Sequence, residues 1–284
     1  MSPRASIQSA AVLGAGTMGA QIAAHLANAG VPVRLFDQTA AIAREGLKRA
    51  STLKPDPFFT RETAARIVIG GFDDLWGPAA GDGVVEAGVE ERDAKRALLG
   101  QGDQARRPGT LVSSNTSGIP LTRLAEGRSE DFRRHFVGTH FFNPPRYLRL
   151  LEVVPIAETY PTVVDGVSWF ADHRLGKGVV VAKDTPNFIA NHLGLFGVMK
   201  ILETLDSGFT IEEIDAITGA PLGRPKSATF RTMDMAGIDV LGHVIANLAE
   251  ALPGQDARRA FAMPPVVTGL IERGWLGEKS GQGF

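Results

Sequence analysis

The chain of 284 residues contains no cysteine. That removes disulfide cross-links, thiolate-ligated metals and thiolate nucleophiles, and it suits a reducing, cytoplasmic setting. Neither sign of charge is in excess. Thirty basic and 31 acidic residues leave a net charge of -1, so neither a nucleic-acid-binding surface nor a charged disordered tail is expected. No apolar run approaches the roughly 20 residues of a membrane helix. Met1–Ser9 carries one arginine and no apolar stretch leading to a cleavage site, so a secretory signal is not expected either. Repeats and low-complexity tracts are lacking too. Glycine is abundant, with 33 residues, and the many tight turns this permits suit α/β architecture.

Short apolar runs alternate with helical patterns over roughly the first 180 residues. Strands are expected at Ile7–Leu13, Val31–Phe36, Gly83–Ala87, Thr110–Ser113, Phe136–Phe142, Leu148–Val154 and Gly178–Ala182. Helices are expected at Met18–Asn28, Asp93–Gln101 and Val163–Leu175, whereas Thr39–Gly71 is helix-prone text broken by Pro55 and Pro57. The alternation predicts a doubly wound parallel sheet of Rossmann type. After Lys183 no β pattern remains. Asp184-Thr185-Pro186 offers a cap and a proline for a helix over Asn187–Leu205. Thr210 with Glu213 forms a capping box opening the next helix, and another fits Asp239–Leu252. The division expected is a nucleotide-binding domain over 1–184 and an all-α domain over 185–284.

The first turn carries the clearest chemistry. Gly14, Gly16 and Gly19 form G-x-G-x-x-G directly after a strand and at the opening of a helix, and Asp37 ends the following strand. Gly14 allows the tight turn, Gly16 lets the backbone approach a pyrophosphate, and Gly19 lets helix and strand pack closely. Thr17 and Met18 open the helix, whose first amides and positive dipole end suit phosphate. Asp37 can accept from ribose hydroxyls and would repel a 2′-phosphate, and Gln38-Thr39-Ala40 supplies no arginine to bind one. NAD is expected rather than NADP.

A second cluster lies at the C-terminal end of a later strand, where ligands sit in open α/β sheets. His140 stands in Phe136-Val137-Gly138-Thr139-His140-Phe141-Phe142, and Glu152 interrupts the apolar run Leu150-Leu151-Glu152-Val153-Val154. A carboxylate in such a strand requires a partner, and His140 is the nearest. The pair suits proton transfer with a substrate hydroxyl: the imidazole takes the proton, and the carboxylate orients the ring.

Gly14–Gly19, Ser114-Asn115-Thr116-Ser117, His140-Phe141-Phe142-Asn143-Pro144, Glu152 in its strand and Lys183-Asp184-Thr185-Pro186 together resemble the L-3-hydroxyacyl-CoA dehydrogenases of fatty-acid β-oxidation. The wording at Ser114–Ile119 and Gly223–Thr232 is most similar to the dehydrogenase portion of bacterial enzymes that also carry an enoyl-CoA hydratase. The resemblance implies NAD-dependent oxidation of (S)-3-hydroxyacyl-CoA bound between the domains, with His140 as base and Glu152 as its partner. It also implies Ser117 and Asn191 beside the substrate oxygen, and Glu90, Lys95, Asn143 and Lys279 as cofactor contacts.

Asn187 and His192 stand where the family has glycine and arginine, and 39–71 is short where it has a helical arm contacting CoA; Lys54 and Arg61 are candidates there. No hydratase region is present, which leaves a portion of a fused enzyme and a free-standing dehydrogenase both open. A dehydrogenase of a free 3-hydroxy acid and a non-catalytic NAD-binding scaffold are the alternatives. The apolar stretch Phe196–Leu202 is expected to be buried on several sides, favouring a dimer through the C-terminal domains.

Overall fold

Alternate residues of the first strand, Ala10–Leu13 (β1), serve different cores in the computed structural model, which describes residues 7–75, 81–252 and 254–284. Ala10 and Val12 join a cluster with Ile22, Leu26 and Phe170, whereas Ala11 and Leu13 join one with Leu99, Phe132 and Phe136. A strand that feeds both faces reads as a continuous apolar run, as this one does.

The other described strands are Val33–Asp37 (β2), Ile67–Gly71 (β3), Gly83–Glu86 (β4), Leu111–Ser114 (β5), Phe136–Phe141 (β6), Leu150–Pro155 (β7) and Gly178–Val181 (β8). They form one sheet in the order β3-β2-β1-β4-β5-β6-β7-β8. Every neighbouring pair is parallel except β6 and β7, which run antiparallel. The uniformly parallel expectation fails at that one pair, because an eight-residue connection, 142–149, is too short for a crossover. The chain order reverses between β1 and β4, which opens a crevice at their C-terminal ends.

The helices of this unit are Thr17–Asn28 (α1), Ala40–Ala50 (α2), Arg61–Ala64 (α3), Arg92–Ala105 (α4), Leu121–Ala125 (α5), Glu130–Arg134 (α6) and Pro161–Leu175 (α7). Within 39–71 the third strand was not foreseen, since Ile67-Val68-Ile69 is brief and follows helix-prone text.

Two compact units divide at Phe188–Ile189. Asp184 does not cap the helix that follows it. Its carboxylate accepts from the amides of Leu121 and Thr122 at 2.9 Å each, fixing the start of α5. Asn187 and Phe188 then take left-handed backbone, φ 59° and 50°, so the expected helix begins only at Ala190. Left-handed φ at Asn187 suits asparagine, the most tolerant residue after glycine.

The second unit is helical: Ala190–Glu203 (α8), Ile211–Thr218 (α9), Phe230–Ala236 (α10), Ile238–Ala251 (α11), Gln255–Arg259 (α12) and Pro265–Glu272 (α13). Both halves of the capping box form at α9: the Thr210 hydroxyl accepts from Glu213 N, and the Glu213 carboxylate accepts from Thr210 N. One core centres on Leu202, Phe230, Ile238 and Val267, the other on Leu195, Ile245, Leu248 and Phe261.

Candidate active site

The three glycines of the first turn have different reasons to be glycine. Gly14 has φ 101°, and a Cβ there would lie 2.7 Å from Ala87 O. A Cβ on Gly19 would come within 1.8 Å of Gly14 O, so α1 touches the loop directly. A Cβ on Gly16 would meet no protein atom within 4 Å. Two of the glycines are therefore required by packing, while the third keeps open a cradle over the start of α1.

That cradle belongs to a cavity of about 740 Å³ whose wall includes Gly14, Gly16, Thr17, Met18 and Asp37, a volume within the range of cofactor sites. The Asp37 carboxylate accepts from Ala15 N at 2.7 Å and Gln38 N at 2.8 Å. Each oxygen keeps a lone pair for a ribose hydroxyl. The open cradle, the helix N-terminus and the acceptor at the end of β2 fit an adenine dinucleotide.

The opposite wall is a buried ion cluster. Lys95 on α4, 3% exposed, donates to both oxygens of Glu86, which is fully buried at the end of β4, at 2.8 and 2.9 Å. Glu86 also accepts from Ser114 Oγ at 2.6 Å and Gly88 N at 2.7 Å. Lys95 lies 3.4 Å from Glu90 Oε2. Glu90 Oε1 in turn accepts from Thr116 Oγ1 at 2.5 Å, Gly118 N at 2.9 Å and Ser117 N at 3.2 Å. Partial burial raises the Glu90 carboxyl, but the Thr116 hydroxyl, the Lys95 ammonium and the two amides outweigh it and hold it below its ordinary value. One network thus runs from the cavity wall to the loop that carries Ser117. Glu86 escaped sequence reasoning although its signal matched that of Glu152, a carboxylate closing an apolar strand. Ser114 and Thr116 had no local signal.

His140 and Glu152 face each other across the antiparallel pair β6–β7 in register. His140 Nδ1 lies 2.7 Å from Glu152 Oε2, and both side chains are buried. The rings of Phe142 and Phe188 pack edge-on against the imidazole, with centroids 4.5 and 5.6 Å away. Asn143 follows at the strand end, its Oδ1 accepting from Gln21 Nε2 on α1 at 3.0 Å. The Glu152 carboxylate and the two aromatic rings hold the imidazole in one orientation.

Asn191, in the first turn of α8, and Lys279 belong to the second unit. There the Lys279 ammonium is bound to Asp239 Oδ1 at 2.5 Å. Lys54 and Arg61 are both exposed.

The NAD-binding-domain model of 3-hydroxyacyl-CoA dehydrogenase matches residues 9–185, and the model of the same family's C-terminal domain matches 188–284. The chain belongs to the 3-hydroxyacyl-CoA dehydrogenase family. Membership places it among NAD-dependent dehydrogenases, and the cradle over Gly16 lies within the stretch that matches the family's NAD-binding domain. It is 45% identical to a probable 3-hydroxyacyl-CoA dehydrogenase of Deinococcus radiodurans, over 98% of this chain and 82% of that protein. It is 43% identical to one of Bacillus subtilis over 98% of this chain, yet spans only 38% of that longer protein. Among solved structures, (S)-3-hydroxybutyryl-CoA dehydrogenase PaaH1 from Ralstonia eutropha superposes with a TM-score of 0.82 at 29% identity, covering 98% of both chains. Among the described residues no helix is long and apolar enough to cross a membrane.

Proposed function

We propose that this chain oxidises a (S)-3-hydroxyacyl-CoA to the 3-ketoacyl-CoA as a step of fatty-acid β-oxidation. The observation that carries this reading is the buried His140–Glu152 pair, with its 2.7 Å contact, at the C-terminal end of β6. With Nδ1 engaged by the carboxylate, proton exchange falls to Nε2, which takes the proton of the 3-hydroxyl. Glu152 holds the ring and balances the charge it acquires. When bound, NAD supplies the acceptor for the hydride of C3. Ser117, held through its amide by Glu90, and Asn191 bind the substrate oxygen; Glu90, Lys95, Asn143 and Lys279 contact the cofactor.

We further propose a homodimer through the second unit. The buried residues of α8, Leu195, Met199 and Leu202, make a single stripe, while Leu193 is 63% and Phe196 41% exposed. One stripe covered within the chain leaves apolar faces that a twofold partner would bury. A fused or partner enoyl-CoA hydratase agrees with the B. subtilis relative's extra length.

The test is NADH consumption with acetoacetyl-CoA and longer 3-ketoacyl-CoAs, run beside free acetoacetate. The CoA esters should be reduced and the free acid should not. His140→Gln should keep NADH binding and lose roughly 10²–10⁴-fold in kcat, with Glu152→Gln comparable and altered in its pH profile. Activity on acetoacetate alone, or a fully active His140→Gln, refutes the reading.

A further inference from the structure

A dinucleotide brings two phosphate charges, and most charged groups of the NAD cavity do not welcome them. Asp37, Asp73 and Glu86 face it as carboxylates, and its one lysine, Lys95, is already neutralised by Glu86 and Glu90. Among the described residues, the remaining cation in the wall is Arg49, near the end of α2.

Arg49 reaches the cavity because α2 lies against the glycine loop. Gly46 makes that approach possible: a Cβ there would come within 2.1 Å of Ala15 O. Arg49, three residues on, shares the same face of the helix. Its Nη2 lies 3.5 Å from Ala15 O, the carbonyl between the first two glycines of the loop. A contact of that length is at the outer limit of a hydrogen bond, so a charged acceptor can draw the guanidinium away at small cost. Arg49 is exposed and forms no ion pair among the described residues.

We propose that Arg49 is the phosphate clamp of the NAD site, gripping the diphosphate that the amides at the start of α1 receive. A guanidinium suits this because it binds phosphate through two parallel N–H groups. The inference rests on the NAD site at Gly14–Gly19 and adds a side chain that the glycine motif does not contain. The residues just after Asp37 offer no arginine, but the fold brings one from further along α2.

The experiment measures binding rather than turnover. Wild type, Arg49→Gln and Arg49→Lys are titrated calorimetrically with ADP-ribose, ADP, adenosine, 2′-AMP and CoA, after thermal melts confirm that all three fold alike. Arg49→Gln should weaken ADP and ADP-ribose on the order of 10-fold, leave adenosine, 2′-AMP and CoA within about twofold, and reduce the salt dependence of ADP binding. Arg49→Lys should recover part of the loss, since it keeps the charge without the fork. Unchanged ADP affinity, or a loss confined to CoA or to 2′-AMP, overturns the clamp while the NAD site stands. Failure of the wild type to bind ADP-ribose overturns the site and the clamp together.

Discussion

His25 lies in the last turn of α1 with both ring nitrogens buried. Burial, then the charge of Lys177 and, more weakly, that of Arg146 push its pKa down to about 4, against a backbone hydrogen bond at Leu175 that raises it. Lys177 is itself buried, donates to Leu148 O at 2.8 Å and to Pro145 O, and is pushed down by burial to about 8. Above pH 6.5 the histidine is neutral in both the folded and the unfolded chain and contributes nothing to pH dependence. As pH falls from 6.5 towards 4, the unfolded chain takes up a proton that the fold excludes, so stability falls across that window. A displacement from 6.5 to about 4, at 1.36 kcal/mol per pH unit, amounts to about 3 kcal/mol once pH is below 4. His25→Leu removes the titration. The assay is urea unfolding of both proteins between pH 7.5 and 4, followed by a probe of the first unit, since two units need not unfold together. The advantage of His25→Leu over wild type should grow by about 3 kcal/mol from pH 7 to pH 4. A difference that stays constant with pH would refute the reasoning.

Glu86→Gln strands the buried Lys95 charge and should destabilise by roughly 3–5 kcal/mol, whereas adding Lys95→Met should restore much of that; a double-mutant cycle in unfolding free energy with no coupling term contradicts the buried pair. Gly19→Ala, whose Cβ would sit 1.8 Å from Gly14 O, should melt well below wild type. Gly16→Ala, at the N-cap of α1, should cost only about 1 kcal/mol of stability yet bind NADH at least roughly 10-fold more weakly, as fluorescence titration would show; equal behaviour of the two variants would remove the distinction between them.

Much of the first unit was legible because its signals are local. The glycine turn, Asp37 at a strand end and alternating apolar runs each depend on neighbours a few residues away, and the sheet follows from connecting them. His140 and Glu152 could be paired for the same reason, being close in the chain as well as in space. What escaped was set by tertiary context. Asp184 reads as the cap of its own helix, and only the packed structure shows its carboxylate on the amides of Leu121 and Thr122. Arg49 looks like a solvated helix charge until Gly46 is seen against Ala15. Lys95 and Glu90 were marked only by resemblance; Glu86, which binds Lys95, emerged with the fold.

The reversal of direction between β6 and β7 has a consequence for how the His140–Glu152 pair can arise. In a parallel sheet, residues opposite each other on adjacent strands are separated by a whole crossover. Here the two partners lie within one hairpin, from Phe136 to Pro155, and face each other in register. The His140–Glu152 pair is therefore a short contiguous cassette, formed by contacts of low sequence separation and able to assemble early in folding. It could also be transplanted as a single segment, because both groups and the turn that aligns them travel together. The dinucleotide half of the site has no such portability, since its residues come from four strands and the helices between them.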